Sequence, residues 1–318
     1  MRLCFLGSPP FATPVLAHLL DSPHAPQLVV TPPDRPVGRR RELERSALAA
    51  LAEERGVRCL QPKTVRDEEF MGELRAFDPE VILVVAYGEY LKPEFLEVAS
   101  REILNVHPSL LPRHRGASPI QAAVAAGDRV TGVTLQRVAQ KLDSGDLLVA
   151  HETELGEEET AGELAERLMV IAGEAAVEAL ELVATNHAKF TPQDEAQVTE
   201  CSKLSVDDGV IDWARPAEEL RNQVRAMNPW PLARTLLPNG KALLVLEARV
   251  AEPAKSGAAP GEVLEVKDRL AIATGAGALE LVTVKREGKA AHSAVEFCRG
   301  ARLEPGACLG ESREGAGR

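Results

Sequence analysis

The residue types best suited to chemistry in this sequence lie in two short segments. Asn105 and His107 are separated by one residue in a strand-like run, so their side chains are expected on the same face of a strand. Asp143 follows in the turn-like segment Leu142–Asp146 and could bring a carboxylate to the same place. A carboxylate beside a histidine orients the ring and favours its protonated form. These three groups together suit acyl-type transfer, in which the amide stabilises a developing oxyanion and the histidine moves protons.

Each of these residues also has a simpler explanation when it is taken alone. A single histidine at the end of a strand is usually a polar residue with ordinary hydrogen-bond partners. An asparagine there commonly caps a turn or a helix, and the sequence Asp143-Ser144-Gly145 is ordinary turn chemistry. The residues and their spacing leave both interpretations open.

The elements that must position these groups alternate between strands and helices through the first two-thirds of the chain. Continuous apolar runs such as Val81–Val85 are typical of strands buried on both faces. The alternation predicts an α/β fold with a Rossmann-like, doubly wound, mostly parallel sheet. Asn105 and His107 would lie at the carboxyl end of a central strand, where such sheets bind ligands. The predicted strands are Arg2–Leu6, Leu28–Thr31, Val57–Leu60, Val81–Val85 and Ile103–His107, and the predicted helices are Thr13–Leu20, Ser46–Arg55, Asp67–Phe77 and Thr160–Ala184.

The last third of the chain has a different pattern. After a predicted helix at Pro216–Met227, short strand-like segments alternate with glycine-rich turns, which predicts a smaller C-terminal OB-like β-barrel domain. We predict a catalytic domain over residues 1–186, a polar linker over 187–205 and the barrel domain over 206–318. The glycine-rich, charged tail after Arg302 is expected to be frayed. The predicted strands here are Ala242–Val250, Gly261–Val266, Leu270–Ala273 and Leu279–Val284.

The composition is that of an ordinary globular protein. No stretch approaches the roughly 20 apolar residues that would span a bilayer, so no membrane association is expected. The five cysteines are far apart and form no C-x-x-C pair, which favours reduced thiols in the cytoplasm and argues against a structural metal. The two tryptophans, Trp213 and Trp230, could be stacking platforms, but buried core positions are the favoured interpretation.

The net charge of −11 at first argues against a nucleic-acid partner. Residues 206–318, however, carry equal numbers of basic and acidic side chains, so all of the excess belongs to residues 1–205. A basic island interrupts that acidic part, and such a cluster can contact phosphates even on a negative protein. Charge alone equally allows a solvated basic loop. The island's candidate phosphate-contacting residues are Arg35, Arg39, Arg40 and Arg41.

Two sequence strings go further than composition and spacing. NVHPSLLPRHRG at residues 105–116, followed by ASPIQ, and KLDSGD at residues 141–146 resemble the two signatures of the folate-dependent formyltransferase superfamily. The resemblance implies the formyltransferase fold, with 10-formyltetrahydrofolate as the formyl donor and no metal. It also implies catalytic roles for Asn105, His107 and Asp143. The implied folate-binding residues are Ser109, Leu110, Leu111 and Pro112, with Tyr87 and Gly88 in the wall of the pterin pocket.

Three further segments resemble the branch of this superfamily that acts on tRNA. Gly7–Ala12 is similar to its N-terminal G-T-P-x-F-A pattern, and Asp34–Arg39 to the start of its acceptor-stem loop. The run from Lys203 to Trp213, with Asn228–Pro231, is similar to the start of its C-terminal, tRNA-binding domain. The second half of the basic loop, Glu42–Ala47, departs from the usual apolar, proline-containing sequence.

The resemblance implies a specific reaction. The α-amino group of methionyl initiator tRNA would attack the formyl carbon directly, and the product would serve translation initiation. Asn105 and a protonated His107 would stabilise the tetrahedral intermediate. We expect a monomer. The main alternative is a nucleotide-sugar formyltransferase, against which the arginine-rich loop and the N-P-W-P segment argue. A formylfolate hydrolase and a noncatalytic RNA-binding protein are the remaining alternatives.

Overall fold

The structure is a computed structural model that describes residues 1–37, 42–252 and 257–310. The chain forms two compact units. Unit 1 comprises Met1–Pro119, Val130–Glu154 and Ala165–Cys201, and unit 2 comprises Ile120–Arg129, Leu155–Leu164 and the described residues from Ser202 onwards. Most of the segment expected to be a linker, residues 187–205, is therefore packed into unit 1 through Cys201.

Every predicted strand and helix is present among the described residues, and the observed ends differ from the predicted ones by at most two residues. The strands are β1 Leu3–Gly7, β2 Leu28–Val30, β3 Arg35–Val37, β4 Glu42–Glu44, β5 Arg58–Leu60, β6 Val81–Val85, β7 Glu102–His107, β8 Arg115–Gly116, β9 Val130–Arg137, β10 Leu147–Glu154, β11 Glu200–Cys201, β12 Ala233–Leu236, β13 Ala242–Ala251, β14 Val263–Glu265, β15 Leu270–Ala273, β16 Ala278–Lys285 and β17 His292–Ser293. The helices are α1 Ala12–Leu20, α2 Ala47–Glu54, α3 Glu68–Phe77, α4 Pro93–Leu96, α5 Pro119–Ala126, α6 Ala161–Ala184, α7 Ala217–Ala226 and α8 Ala294–Ala301.

The main sheet of unit 1 has the strand order β10-β9-β7-β6-β1-β2-β5. The five predicted strands pair in parallel, and every residue of β1 and β6 is buried, as expected for strands covered on both faces. The prediction of a mostly parallel α/β sheet is confirmed. Strands β9 and β10, which extend the sheet antiparallel beyond β7, were not predicted from the sequence.

Unit 2 is built on an antiparallel half-barrel sheet in the order β12-β13-β16-β15-β14, with β17 paired to β16. Its core contains buried apolar residues from the strands, from α7 and α8, and from Trp213. The indole Nε1–H of Trp213 donates to the Thr235 hydroxyl at 3.0 Å. The small C-terminal β domain and the core position of Trp213 are confirmed, whereas Trp230 is 53% exposed and the expectation of a core position for it was wrong.

The chain that follows Arg302 is ordered as far as the structure describes it. Leu303 and Leu309 are buried in the core of unit 2, and Cys308 forms an isolated bridge with Glu262. The prediction of a frayed tail was wrong for residues 303–310 because these two leucines supply apolar surface that the core buries. Residues 311–318 lie outside the described part of the chain.

Among the described residues, no helix is both long and apolar enough to cross a bilayer.

Candidate active site

Strand β7 carries Asn105 and His107 to the carboxyl end of the sheet. On one side it pairs in parallel with β6, and on the other it pairs antiparallel with β9, where Asn105 lies opposite Gln136 and His107 lies opposite Thr134. The two side chains share one face because strand side chains alternate. The predicted placement of the pair, at the end of a central strand, is what the structure shows.

Asp143 reaches the same point from a tight loop that follows β9. The backbone N–H of Arg137 donates to the Asp146 carbonyl at 2.9 Å, so the loop folds back on the end of the strand. The approach is so close that a Cβ atom on Gly145 would lie 1.7 Å from the Arg137 carbonyl oxygen. Asp143 itself has φ +52°, in the left-handed region. The glycine in this segment is therefore required by close backbone packing.

The Asp143 carboxylate is the centre of the constellation. Gln136 Nε2 and the Gly116 backbone N–H donate to it at 2.9 Å each, one to each oxygen. Asn105 Nδ2 lies 3.4 Å from Oδ1, and His107 Nδ1 lies 3.6 Å from the same oxygen. The side chains of His107 and Asp143 are both almost completely buried. The structure thus brings together the three residues that the sequence singled out.

His107 has a defined tautomer and a perturbed pKa. Its Nε2 lies 2.9 Å from the His114 carbonyl oxygen, so Nε2 must carry the hydrogen and Nδ1 faces Asp143. Burial lowers the pKa of His107 below its ordinary value of 6.5, an effect that the nearby Asp143 charge opposes but does not cancel. The shift favours the neutral ring, whereas the sequence, which does not show burial, led us to expect a protonated one.

A cavity of about 540 Å³ opens at this constellation within unit 1. Asn105, His107 and Asp143 form part of its polar lining, and its apolar walls include Val84, Leu91 and Val106. Tyr87 and Gly88, the expected wall of a pterin pocket, line it as well. Burial raises the pKa of the Tyr87 phenol, so this side chain is neutral. The cavity has the mixed apolar and polar character of a small-molecule site.

The other four predicted folate-binding residues shape the turn after β7 and are not among the described residues that line this cavity. Ser109 is fully buried, and its hydroxyl donates to the Arg113 carbonyl at 2.7 Å. Thr134 connects the turn to β9 by donating to the Ser109 carbonyl and accepting from the Leu111 N–H. Leu111 is buried, while Leu110 is partly exposed. Pro112 accepts a hydrogen bond from the backbone N–H of Thr199 at 3.4 Å.

The predicted tRNA contacts fall largely where the structure gives no description. Arg39, Arg40 and Arg41 lie outside the described residues, and for Arg35 only the backbone is described, as the first residue of β3. Their contacts with tRNA stay a prediction.

Sequence reasoning missed two groups that bind Asp143. Gln136 lies on β9, and its position opposite Asn105 depends on an antiparallel register that the sequence does not reveal. Gly116 belongs to the first signature, but the signature does not show that its backbone N–H donates to the carboxylate. A third group, the side chain of Gln193, lies in the expected linker and binds the Asp143 loop. No motif distinguishes it.

Two family models together match most of the chain. A family model described as formyl transferase matches residues 1–180, and one described as formyl transferase, C-terminal domain matches residues 203–302. Among solved structures, HypX from Aquifex aeolicus in complex with tetrahydrofolic acid has a TM-score of 0.60 at 21% identity, covering 94% of this chain and 47% of that longer one. An N-formyltransferase from Helicobacter canadensis with folinic acid and dTDP-3-aminofucose has a TM-score of 0.65 at 15% identity, covering 88% and 98%. At these identities the similarity shows the fold.

The similar curated sequences extend over nearly the full chain. A methionyl-tRNA formyltransferase of Anaeromyxobacter dehalogenans is 46% identical over 305 residues, which is 95% of this chain and 97% of that one. A methionyl-tRNA formyltransferase of Moorella thermoacetica is 39% identical over 311 residues, 98% of this chain and 99% of that one. The chain therefore belongs to the methionyl-tRNA formyltransferase family.

Proposed function

We propose that this protein transfers the formyl group of 10-formyltetrahydrofolate to the α-amino group of methionyl initiator tRNA. The observation that carries the proposal is the meeting of Asn105, His107 and Asp143 in one cavity of a chain that matches methionyl-tRNA formyltransferases almost from end to end. The cavity combines apolar walls with polar groups, which suits a flat heteroaromatic group with a reactive polar substituent. A formyl folate has that chemistry.

The geometry supports direct transfer without a covalent enzyme intermediate. Ser109 is the hydroxyl nearest in sequence to His107, but it is fully buried and donates its hydrogen to the Arg113 carbonyl. It therefore lacks both the accessibility and the base that a nucleophile requires. The attacking group is then the amine of the acceptor itself.

The three residues divide the work of amine attack. The neutral His107 accepts a proton at Nδ1, the ring nitrogen that faces Asp143, as the attacking amine loses it. The Asp143 carboxylate stabilises the imidazolium that forms. Asn105 directs one N–H at Asp143 and has a second N–H for the oxyanion that develops on the formyl carbon. His107 can then return its proton to the departing nitrogen.

The remaining parts of the proposal concern partners and surroundings. Arg35, Arg39, Arg40 and Arg41 would contact phosphates of the tRNA, and the C-terminal domain would bind the same molecule. We retain the division into residues 1–186, 187–205 and 206–318 as the domain proposal, with a monomer acting in the cytoplasm, where initiator tRNA is used.

The test is a formylation assay with 10-formyltetrahydrofolate and three acceptors: charged initiator methionyl-tRNA, charged elongator methionyl-tRNA and a UDP-linked amino sugar. Rapid formylation of the initiator alone is the expected result. Reaction with the sugar and not with tRNA would support formyl transfer at this site but reject tRNA as the acceptor. Inactivity toward all three would reject the proposal.

The same assay tests the residue roles. Asn105→Ala and Asp143→Ala are each expected to lower turnover by roughly 100- to 1000-fold, the usual effect of removing an oxyanion donor or its electrostatic support. Asn239→Ala is a suitable control, because within the described part of the chain that side chain makes one hydrogen bond, accepted from the backbone N–H of Lys241 in a local turn. Near-normal turnover in either active-site variant would remove that residue from the catalytic set.

A further inference from the structure

The loop that carries Asp143 is held by a residue far away in sequence. Gln193 Nε2 donates to the Asp143 carbonyl at 2.8 Å and to the Gly145 carbonyl at 2.7 Å. The same amide nitrogen lies 3.2 Å from Gln136 Oε1, and Gln136 in turn donates to the Asp143 carboxylate. One amide therefore connects to both the backbone and, through Gln136, the side chain of Asp143.

The orientation of the Gln193 amide is fixed from its other end. Arg115 Nε donates to Gln193 Oε1 at 2.9 Å, so the amide oxygen faces the guanidinium and the NH₂ group faces the Asp143 loop. Arg115 is only 2% exposed, and its Nη2 pairs with Glu195 at 2.8 Å. A buried, ion-paired arginine does not rotate freely, so it gives Gln193 one orientation.

Gln193 belongs to a strap, residues 193–201, that is bonded to the chain around Arg115. The His114 N–H donates to the Thr199 hydroxyl at 2.8 Å, and the Arg115 N–H donates to the Thr199 carbonyl at 2.9 Å. Further along, β11 pairs in parallel with β8, which contains Gly116. The strap thus binds the segment that supplies the Gly116 N–H to Asp143, and it also binds the Asp143 loop through Gln193.

Asp143 needs such support because of its backbone. A non-glycine residue with φ +52° is in a conformation that persists only when surrounding contacts impose it. The two carbonyls that Gln193 holds lie on either side of Ser144, and together they fix the direction of the turn that presents the carboxylate. Gln193 is not among the described residues that line the cavity, which favours a role that acts through Asp143.

We propose that Gln193, oriented by Arg115, is a positioning residue that sets the geometry of the Asp143 carboxylate for formyl transfer. The proposal rests on the proposed function. It assigns a role in turnover to the strap, residues 193–201, which composition had marked only as a linker.

The test compares Gln193→Glu and Gln193→Ala with Gln197→Ala. The glutamate is nearly isosteric and can still accept from Arg115, but it cannot donate to the two carbonyls of the Asp143 loop. Both Gln193 variants are expected to lower kcat by roughly 10- to 100-fold with KM for either substrate nearly unchanged, as for a small misplacement of a catalytic group. Gln197 lies in the same strap, and among the described residues its side chain donates to Asp194 alone, so its variant is expected to match the wild type.

A double-mutant cycle separates positioning from general damage. In an Asp143→Ala background, Gln193→Ala should cause no further loss of kcat, because the carboxylate it positions is absent. A full additional loss there, or wild-type kcat in the single Gln193 variants, would overturn the proposal. Wild-type activity in the same assay tests the proposed function independently.

An NMR titration of the His107 ring provides a readout that needs no substrate. The charged or titratable groups facing this ring are Asp143, which raises its pKa, and His114, which lowers it. Gln193→Ala should hold Asp143 less firmly near the ring and so lower the pKa of His107. Gln197→Ala should leave that pKa unchanged. An unmoved titration in Gln193→Ala would also count against the proposal, even for a protein with no tRNA activity.

Discussion

At the scale of single residues, type and spacing were enough to predict that three polar groups could meet, but not their protonation state. Asn105 and His107 were expected on one face of a strand, and Asp143 in a loop able to reach them. The structure adds that His107 is almost fully buried and that its Nε2–H is committed to the His114 carbonyl. Burial depends on the whole fold, which explains why the sequence suggested an imidazolium where the structure favours a neutral ring.

This neutral ring leads to a pH prediction. The Asp143 charge raises the pKa of His107 against the larger effect of burial, so Asp143→Asn should lower that pKa further. A base is active when it is deprotonated, so the acid limb of the single-turnover rate should lie at lower pH in the variant than in the wild type. Rates measured from about pH 4.5 to 8, with one tRNA preparation for both proteins, test this.

Both proteins are measured with the same tRNA acceptor, so ionisation of the acceptor's amine affects their two pH–rate profiles equally. An acid limb that moves to higher pH in Asp143→Asn would contradict the assignment of His107 Nδ1 as the proton acceptor. A limb that does not move would show that Asp143 is not electrostatically coupled to the titrating group.

At the scale of elements, the parallel part of the sheet was predictable because strands buried on both faces are continuous apolar runs. The antiparallel strands β9 and β10 were not predictable in this way. Strand β10 mixes charged and apolar residues, and only one of its eight residues is buried. The pairing of β8 with β11 was also beyond sequence reasoning, because each strand has two residues and Arg115 and Glu200 lie far apart in the chain. These are the elements that supply Gln136, the Gly116 N–H and the strap to the site.

The β8–β11 pair can be tested by adding a single methyl group. Gly116 has φ +121°, and a Cβ there would lie 2.0 Å from the Cys201 carbonyl oxygen. Gly116→Ala should therefore displace the strap and the N–H that binds Asp143, lowering both the melting temperature and turnover. Turnover should fall by at least about 10-fold, as for a misplaced catalytic group.

Gly72→Ala is the matched control. Gly72 lies inside α3, has no atom within 4 Å of the added Cβ position, and does not have a positive φ. Alanine there should leave turnover unchanged and raise the free energy of unfolding by up to about 1 kcal/mol. Thermal unfolding and formylation of both variants decide the question, and normal turnover in Gly116→Ala would show that this close approach is not needed.

At the scale of the whole molecule, the excess negative charge sets a condition on tRNA binding. A protein with net charge −11 repels a polyanion, so the attraction must come from basic residues concentrated in one place. Many arginines among the described residues are already paired with carboxylates, including Arg2 with Asp78, Arg55 with Asp21 and Arg45 with Glu53. An arginine paired with a carboxylate adds little net positive charge and so attracts a phosphate weakly. This favours the basic run at residues 39–41 of the sequence as the phosphate contact.

Replacing Arg39, Arg40 and Arg41 together by glutamine should raise KM for tRNA while leaving KM for the formyl donor unchanged. Each phosphate contact that is lost should also reduce the dependence of log K on log salt by about one unit, because fewer counterions are released on binding. Arg45→Gln is the control, since its charge is balanced by Glu53 and it lies only a few residues further along the chain. If the triple variant keeps the wild-type dependence of log K on log salt, this run does not contact phosphates. The phosphate contacts would then lie elsewhere on the protein.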